Sequence, residues 1–313
     1  MAKKIKITPS SKITLDKGID EFMTYCKVKN LRPATLKFYE STCEGYIYKV
    51  LDPKTLISEI YPSTIEDLIL YCKQRGIKDV SINSMLRGVR AIFNYFMKLD
   101  YMDKFEISLI KQDTPIIETY TDAELELLLK QPNKNKCSFG DYRNWAMCNF
   151  LLATGCRFST LINIKIKDID FNDNTITYSH TKNRRKQIIP LSSTLKHVLY
   201  MYLKIRGNEP NDLLFCNTYG GMLDKSTISQ NLRDYNRKRG VMKTGIHRWR
   251  HTFAKKWILE GGDVFSLQTM LGHSSMEMVK KYVTMFSNDL SKNFDMYNPL
   301  DNLDVYKTKI KMK

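Results

Sequence analysis

The chain has 313 residues, 42% of them hydrophobic, and a formal net charge of +17. This length suffices for two domains with cores of their own, and the basic balance favours a polyanionic partner such as nucleic acid. The seven cysteines are scattered with no CxxC pair, and no apolar run is long enough to span a bilayer. These features argue against a disulfide framework, a zinc site and a membrane protein, and they predict reduced thiols in a cytoplasmic protein.

The first third of the chain predicts a short basic arm, residues 1–13, followed by a small helical domain over residues 14–105. Apolar residues recur at helical spacing in four consecutive segments, of which the second and third begin at Pro33 and Pro62. Four short amphipathic helices make a small bundle. The basic side chains on this bundle that we expect to bind DNA phosphates are Arg32, Lys37, Arg87 and Arg90.

A second domain is predicted over residues 118–285, after a linker at 106–117. Thr121 and Glu124 have the spacing of a capping box at a helix start. Further helices follow, including a strongly apolar one that Gly155 ends. Between residues 168 and 191 the apolar period changes to that of strands, which predicts a three-stranded antiparallel sheet. The predicted fold is therefore mostly α with a small antiparallel β-sheet in the second domain.

Candidate functional residues concentrate in the stretch 245–284. His247 and Arg250 are three apart and share a helix face, where the arginine fork can hold two phosphate oxygens. His273 follows a glycine, and Tyr282 comes nine residues later. Taken singly, each is more simply a solvated charge, a packed histidine or a half-buried tyrosine. Together, cations and imidazoles with one tyrosine downstream suit phosphoryl transfer through tyrosine.

Two upstream residues complete the set. Arg157 follows the apolar helix and its glycine stop, where the backbone must turn. The simpler interpretation is a solvated helix N-terminus, but the arginine charge has the wrong sign for that helix dipole, which favours a functional role. Lys182 lies in a basic hairpin turn, and a lysine among cations can act as a general acid because its pKa is lowered. Other basic side chains near these elements could contact backbone phosphate. They are Arg184, Arg185, Lys186 and Arg248.

The segments TGCRFSTL, the basic hairpin before IIPL, HRWRH and LGHSS, followed by Tyr282, together resemble the tyrosine recombinase (phage integrase) family. The short two-domain form is similar to the shorter integrases and the Xer-type resolvases. The resemblance implies a helical core-binding domain and an α+β catalytic domain that form a C-shaped clamp on DNA. It implies no metal and no cofactor.

The resemblance also implies roles for residues. Tyr282 would attack a DNA phosphodiester and form a 3′-phosphotyrosyl link. Arg157 and Arg250 would hold the non-bridging oxygens, and Lys182 would protonate the leaving 5′ oxygen. His247 and His273 would bind the phosphate or assist proton transfer. The expected partners are double-stranded recombination sites, three further copies of the chain in a tetramer on DNA, and accessory DNA-bending or directionality factors.

Some positions depart from the family pattern. Thr160 stands where the family usually has a glutamate, which bears on how Arg157 is oriented. Trp249 and Val279 replace a more usual leucine and threonine. The C-terminal segment 286–313 is expected to dock on a neighbouring protomer, with packing on its own protomer as an equal alternative.

The leading functional hypothesis is a site-specific recombinase, an integrase or excisionase of a mobile element. An Xer-like dimer resolvase or DNA invertase stays open. So do a relaxing activity like that of type IB topoisomerases, and a DNA-binding protein without catalysis, for which Thr160 is the only support in the sequence.

Overall fold

A computed structural model describes residues 13–113, 118–179, 186–273, 275–277, 279, 280 and 282. The chain divides into two compact units, Met1–Pro115 and Ile116–Lys313. The predicted N-terminal arm (except residue 13) and C-terminal segment lie outside the described residues, and the finer domain limits stay predictions. None of the helices in the described part of the chain is both long and apolar enough to cross a membrane.

The first unit is a helical bundle whose apolar faces meet in one core. A π-helical turn, Cys43–Ile47, continues the second helix into the third, and a 3₁₀ turn, Ile57–Glu59, precedes the fourth. The fifth helix has the most buried positions because its apolar residues recur every three or four places. The helices are α1 Leu15–Val28, α2 Pro33–Thr42, α3 Tyr48–Val50, α4 Pro62–Gln74 and α5 Asp79–Lys98.

The residues after α5 remain packed on this unit. Ile107 is buried in its core. The Asn83 amide binds the main chain of Ile110 in both directions: Nδ2 donates to the carbonyl oxygen and Oδ1 accepts from the N–H, each at 2.9 Å. The segment at the start of the predicted linker is therefore held against α5.

The second unit combines seven helices, within its described residues, with a three-stranded sheet. The sheet is antiparallel in the order β1-β2-β3, and Ile176 lies opposite Ile169 on one side and Ile189 on the other. A 3₁₀ turn, Ile166–Asp168, leads into it. The helices are α6 Asp122–Leu129, α7 Phe139–Thr154, α8 Phe158–Asn163, α9 Ser193–Arg206, α10 Lys225–Lys238, α11 Ile246–Leu259 and α12 Val264–Leu271. The strands are β1 Ile169–Asp170, β2 Thr175–Tyr178 and β3 Gln187–Pro190.

Capping residues set the helix starts as the sequence predicts. The Glu124 N–H donates to Thr121 Oγ1 at 3.2 Å, and the Thr121 N–H donates to Glu124 Oε2 at 2.8 Å. Asp263 caps α12 in the same way, through the N–H of Ser266. Each such cap stabilises its helix by about 1 kcal/mol. The mostly helical fold with a small antiparallel sheet is confirmed.

Two apolar clusters build this unit. The larger one surrounds α7, which is buried on nearly every side, and includes Trp145, Phe150 and Trp249. The smaller one joins α11 and α12 to the helical residues around Tyr282, and Phe253 and Leu271 are among its buried members. The candidate site lies where these two clusters adjoin.

Candidate active site

Gly155 sets the position of the first arginine. It ends α7 with a left-handed backbone, φ +57°, and a Cβ atom there would stand only 2.5 Å from Phe253 Cδ1. A glycine is therefore required both by the turn and by the close approach of α11. The chain reverses at this point, and Arg157 becomes the residue that precedes α8.

The C-terminal end of α12 gathers both arginines. Gly272 ends this helix with φ +60°, and the last turn leaves carbonyl oxygens without partners in the helix. Arg250 Nη2 donates to the Leu271 carbonyl at 2.8 Å, and Arg157 Nη2 donates to the Gly272 carbonyl at 2.7 Å. The negative end of a helix dipole thus holds two guanidinium groups side by side.

Arg250 is the centre of the cluster and only 6% exposed. Its Nη1 also donates to the Gly155 carbonyl at 2.8 Å, which ties α11 to the end of α7. Burial, with the positive charge of Arg157, lowers the pKa of Arg250 to about 10. Burial likewise lowers the pKa of Arg157. Two partly desolvated cations at one point make a strong site for an anion with several oxygens.

His273 presents a donor that nothing in the described part of the chain uses. Its Nε2 lies 2.6 Å from Arg250 Nη2, and because a guanidinium can only donate, Nε2 accepts. The ring proton is therefore assigned to Nδ1, which is buried and has no partner among the described residues. Burial, then the charges of Arg250 and Arg157, lower the pKa of His273 to about 4. The ring is thus a neutral donor at physiological pH.

His247 lies one turn before Arg250 on the same face of α11, with an exposed side chain. Partial desolvation lowers its pKa, and the charges of Arg250, Lys225 and Arg157 add to the effect. Its imidazole is therefore open to a large ligand and faces the same positive field as the two arginines.

Tyr282 is 5% exposed and belongs to the smaller apolar cluster. Its phenol lies 2.9 Å from Nδ1 of His251. Its ring is parallel to that of His273, with centroids 6.2 Å apart. Burial raises the pKa of Tyr282, against the opposing effect of the two arginines. The structure thus brings together five of the six predicted catalytic residues, namely Arg157, His247, Arg250, His273 and Tyr282.

Lys182, the sixth, lies outside the described residues, as do Arg184 and Arg185. Lys186, Arg32, Lys37 and Arg87 are exposed, and Arg90 is partly buried. Arg248 donates to Glu118 Oε2 at 2.5 Å and lies over the Tyr120 ring. The DNA contacts predicted for these residues stay predictions. Within the described residues no cluster of His, Cys, Asp and Glu could hold a metal ion.

Two residues of the site had no role assigned from the sequence. His251 contacts the Tyr282 phenol, and its place in HRWRH was the only signal available. Gln187, at the start of β3, donates from Nε2 to the carbonyls of Thr269 and Met270 at 2.6 and 2.8 Å. Its amide therefore joins the hairpin strand to the same helix end that holds the arginines.

The replacement at Thr160 has a structural context. Thr160 is buried in the first turn of α8, and its N–H donates to the Arg157 carbonyl at 2.9 Å. The Arg157 side chain is oriented from another direction, by the carbonyl of Gly272. A main-chain oxygen thus holds this arginine in the absence of the family's usual glutamate.

Residues 118–288, more than half of the chain, match the model of the phage integrase family. The chain belongs to the phage integrase family. The tyrosine recombinase XerC of Bacillus licheniformis is 27% identical over 292 residues, which cover 89% of this chain and 95% of that protein. The identification of the chain as a tyrosine recombinase is thereby confirmed.

Solved structures share the fold. The integrase of transposon Tn1549, in complex with transposon right end DNA, has a TM-score of 0.72 at 20% identity, over 90% of this chain and 99% of that one. A lambda integrase tetramer bound to a Holliday junction has a TM-score of 0.69 at 18% identity, over 88% of this chain and 79% of that one. At these identities the likeness concerns the fold alone.

Proposed function

We propose that this member of the family is a site-specific DNA recombinase in which Tyr282 cuts and rejoins DNA through a 3′-phosphotyrosyl link. The observation that carries the assignment is the buried Tyr282 phenol under the charges of Arg250 and Arg157, which oppose the rise in its pKa that burial causes and are both held at one helix end. Tyr282 is thus the tyrosine that lies within the field of one buried guanidinium, Arg250, and one half-buried guanidinium, Arg157.

The arrangement suggests how the step proceeds. A phosphodiester enters beside His247 and takes up donors from Arg157, Arg250 and the free Nδ1–H of His273. Tyr282 Oη attacks phosphorus, the bond to the 5′ oxygen breaks, and Lys182 is proposed to supply the proton for that oxygen. The guanidinium groups stabilise the charge that develops on the phosphate, and removal of one such donor costs about 3 kcal/mol in other enzymes.

The biological setting is proposed as integration or excision of a mobile element. The XerC relative, which matches over 95% of its length, keeps an Xer-like resolvase or an invertase as the second candidate. A binding footprint near the protein's own gene separates these settings. Paired sites that flank the gene support an element integrase, and a single site elsewhere on the chromosome supports a resolvase.

For assembly, we propose a tetramer on double-stranded DNA sites, since recombination joins two duplexes, with accessory DNA-bending factors as a further possibility. The C-terminal segment proposed to dock on a neighbouring protomer, residues 286–313, lies outside the described residues. An apolar groove of about 350 Å³, lined by residues that include Leu152, Phe253 and Trp257, is a surface such a segment could cover. Removal of residues 286–313 should weaken assembly on DNA and leave cleavage by single protomers intact.

The test uses a library of duplexes with randomised sequence and a nick that lets the cleaved end diffuse away. DNA that stays attached to the protein after denaturation is recovered and sequenced. Wild-type protein should yield a recurrent sequence, and Tyr282→Phe should yield none. An adduct with the phenylalanine variant would exclude Tyr282 as the nucleophile, and DNA binding without any adduct would favour the non-catalytic alternative. Relaxation of supercoils without site preference would favour a topoisomerase.

A further inference from the structure

His251 is the neighbour of Tyr282 that the proposed mechanism does not use. It follows Arg250 on α11, and its Nδ1 lies 2.9 Å from Tyr282 Oη. The two rings are tilted by 48° with centroids 5.6 Å apart. The imidazole is partly buried and starts from a rigid helix.

The direction of the phenol proton is assigned from the charge that acts on the same oxygen. Burial raises the pKa of the Tyr282 phenol, the positive charge of Arg250 opposes that rise, and a guanidinium has no lone pair that could accept a proton. The phenol oxygen therefore presents its lone pairs to that charge, and we assign its single proton to the contact with His251. Nδ1 of His251 then accepts that proton, and Nε2 carries the ring hydrogen.

The other groups around Tyr282 cannot accept the phenol proton. Arg157 and Arg250 have donors only. The ring of His273 is stacked parallel to the phenol, and its Nε2 lone pair already accepts from Arg250. Of the side chains that the structure shows around this phenol, only His251 offers it a nitrogen lone pair.

We propose that His251 is the proton acceptor of Tyr282 in strand cleavage and the proton donor in rejoining, an inference that rests on the proposed recombinase function. As Oη bonds to phosphorus, the O–H bond breaks and an N–H bond forms at Nδ1 of His251. The bond from phosphorus to the 5′ oxygen breaks, and that oxygen takes its proton from the acid, for which Lys182 is proposed. In rejoining, Nδ1 returns its proton to Oη as the bond between phosphorus and tyrosine breaks.

The charges at the site would couple this step to DNA. Burial, together with His247, Arg250 and Arg248, lowers the pKa of His251 to about 4, so the imidazole is a weak base without substrate. A phosphodiester anion bound at His247 and Arg250 offsets the positive field there, and its charge raises the basicity of His251. The tyrosine is then activated only when a phosphate is in place.

The experiment measures single-turnover adduct formation on a suicide duplex recovered from the library selection. His251→Gln keeps a hydrogen-bond acceptor near the phenol but cannot hold a proton, and its rate should fall by about 100-fold or more with unchanged DNA affinity. His251→Ala should be equally slow and should recover in buffered imidazole, which a positioning role alone would not allow. His197→Gln, at an exposed site on α9, should react at the wild-type rate.

A His251→Gln rate equal to wild type overturns the inference. So does a slow His251→Ala that imidazole fails to restore, because that outcome reports positioning rather than proton transfer. In both cases the wild-type adduct and its loss in Tyr282→Phe leave the proposed function standing. Failure of the wild-type protein to form any adduct would instead reject the proposed function.

Discussion

Arg157 donates a hydrogen bond of 2.7 Å to the carbonyl oxygen of Gly272, 115 residues further along the chain. The contact joins the start of α8 to the end of α12. It orients the guanidinium from the main chain, where the family's usual glutamate is replaced by Thr160. Because the helix end holds Arg250 as well, any change in this turn should move both arginines.

The first prediction concerns Gly272→Ala, with Gly240→Ala as its control. Both glycines have positive φ, +60° and +76°, so each alanine should cost about 1 kcal/mol of stability. A Cβ atom at Gly272 would stand 2.8 Å from Gln187 Oε1 and 3.1 Å from Arg157 Nη1, whereas at Gly240 nothing lies within 4 Å. The ends of the Gln187 and Arg157 side chains can move aside, so Gly272→Ala should cost little more stability than Gly240→Ala. Because Arg157 moves, the substitution should lower the cleavage rate instead.

We therefore expect Gly272→Ala to slow adduct formation by about 10- to 100-fold, as misplaced catalytic groups do, and Gly240→Ala to leave the rate unchanged. Urea unfolding and single-turnover cleavage of both variants provide the check. Equal cleavage rates would show that Arg157 does not depend on this turn.

Local signals made much of the fold predictable. The capping pair Thr121 and Glu124 and the cap Asp263 act within one helical turn, so their spacing in the sequence is their geometry. The three strands were evident from the change of apolar period around Ile176. The π-helical turn at Cys43–Ile47 was not, because it depends on how the second helix packs rather than on its own pattern.

The same distinction between local and long-range contacts applies to the site. His247 and Arg250 share a helix face by spacing alone. The hydrogen bonds from Arg157 to Gly272 and from Gln187 to Thr269 join residues 115 and 82 positions apart, and no local pattern encodes them. In the sequence, His251 is one more titratable residue on a helix. Its relation to Tyr282 emerges only when α11 and the tyrosine are packed together.

A second prediction is that stability falls in acid because of His273. Its pKa is lowered from 6.5 to about 4 in the native protein, so between these values the unfolded chain binds a proton that the native state does not. The stability that the neutral His273 ring contributes is therefore fully present above pH 6.5 and is lost as the pH falls from there towards 4. From pH 7 to pH 5 the loss from this residue should be about 2 kcal/mol.

His273→Gln should remove that part of the pH dependence, and His197→Gln, at an exposed position, should retain it. The pKa of His251 is lowered to about 4 as well, so a similar, separate contribution will persist in the His273 variant. Denaturant titrations at the two pH values measure the difference. An unchanged pH dependence in His273→Gln would mean that this ring is not held neutral by the fold.

A third prediction concerns Asn83, which is 2% exposed and binds both main-chain groups of Ile110. Asn83→Ala would leave a partly buried main-chain donor and acceptor of Ile110 unpaired, at a cost of about 2 kcal/mol. The segment after α5 should then loosen, and trypsin should cut faster after the exposed Lys111. Asn94→Ala, on the exposed face of the same helix, is the control. Equal cutting of the two variants would argue that other contacts hold this segment.

The last prediction addresses Gln187, whose Nε2 donates to the carbonyls of Thr269 and Met270. Gln187→Leu keeps the size of the side chain and loses two hydrogen bonds, at about 1 kcal/mol each. Gln187→Glu should be worse, because a carboxylate would face two carbonyl oxygens. Since β3 begins shortly after the turn predicted to hold Lys182, both changes should slow cleavage by more than their effect on stability explains.

Gln230→Glu is the matched control, since its amide binds only exposed side chains on α10, the carboxylate of Asp234 and the guanidinium of Arg233. Urea unfolding and adduct formation are measured for all three variants. If Gln187→Glu loses stability but cleaves at the wild-type rate, this amide supports the fold of the second unit alone. If Gln187→Leu cleaves more slowly than wild type, Gln187→Glu more slowly still, and Gln230→Glu at the wild-type rate, then the end of α12 positions β3 as well as the two arginines. The site then depends on one helix end for three of its parts.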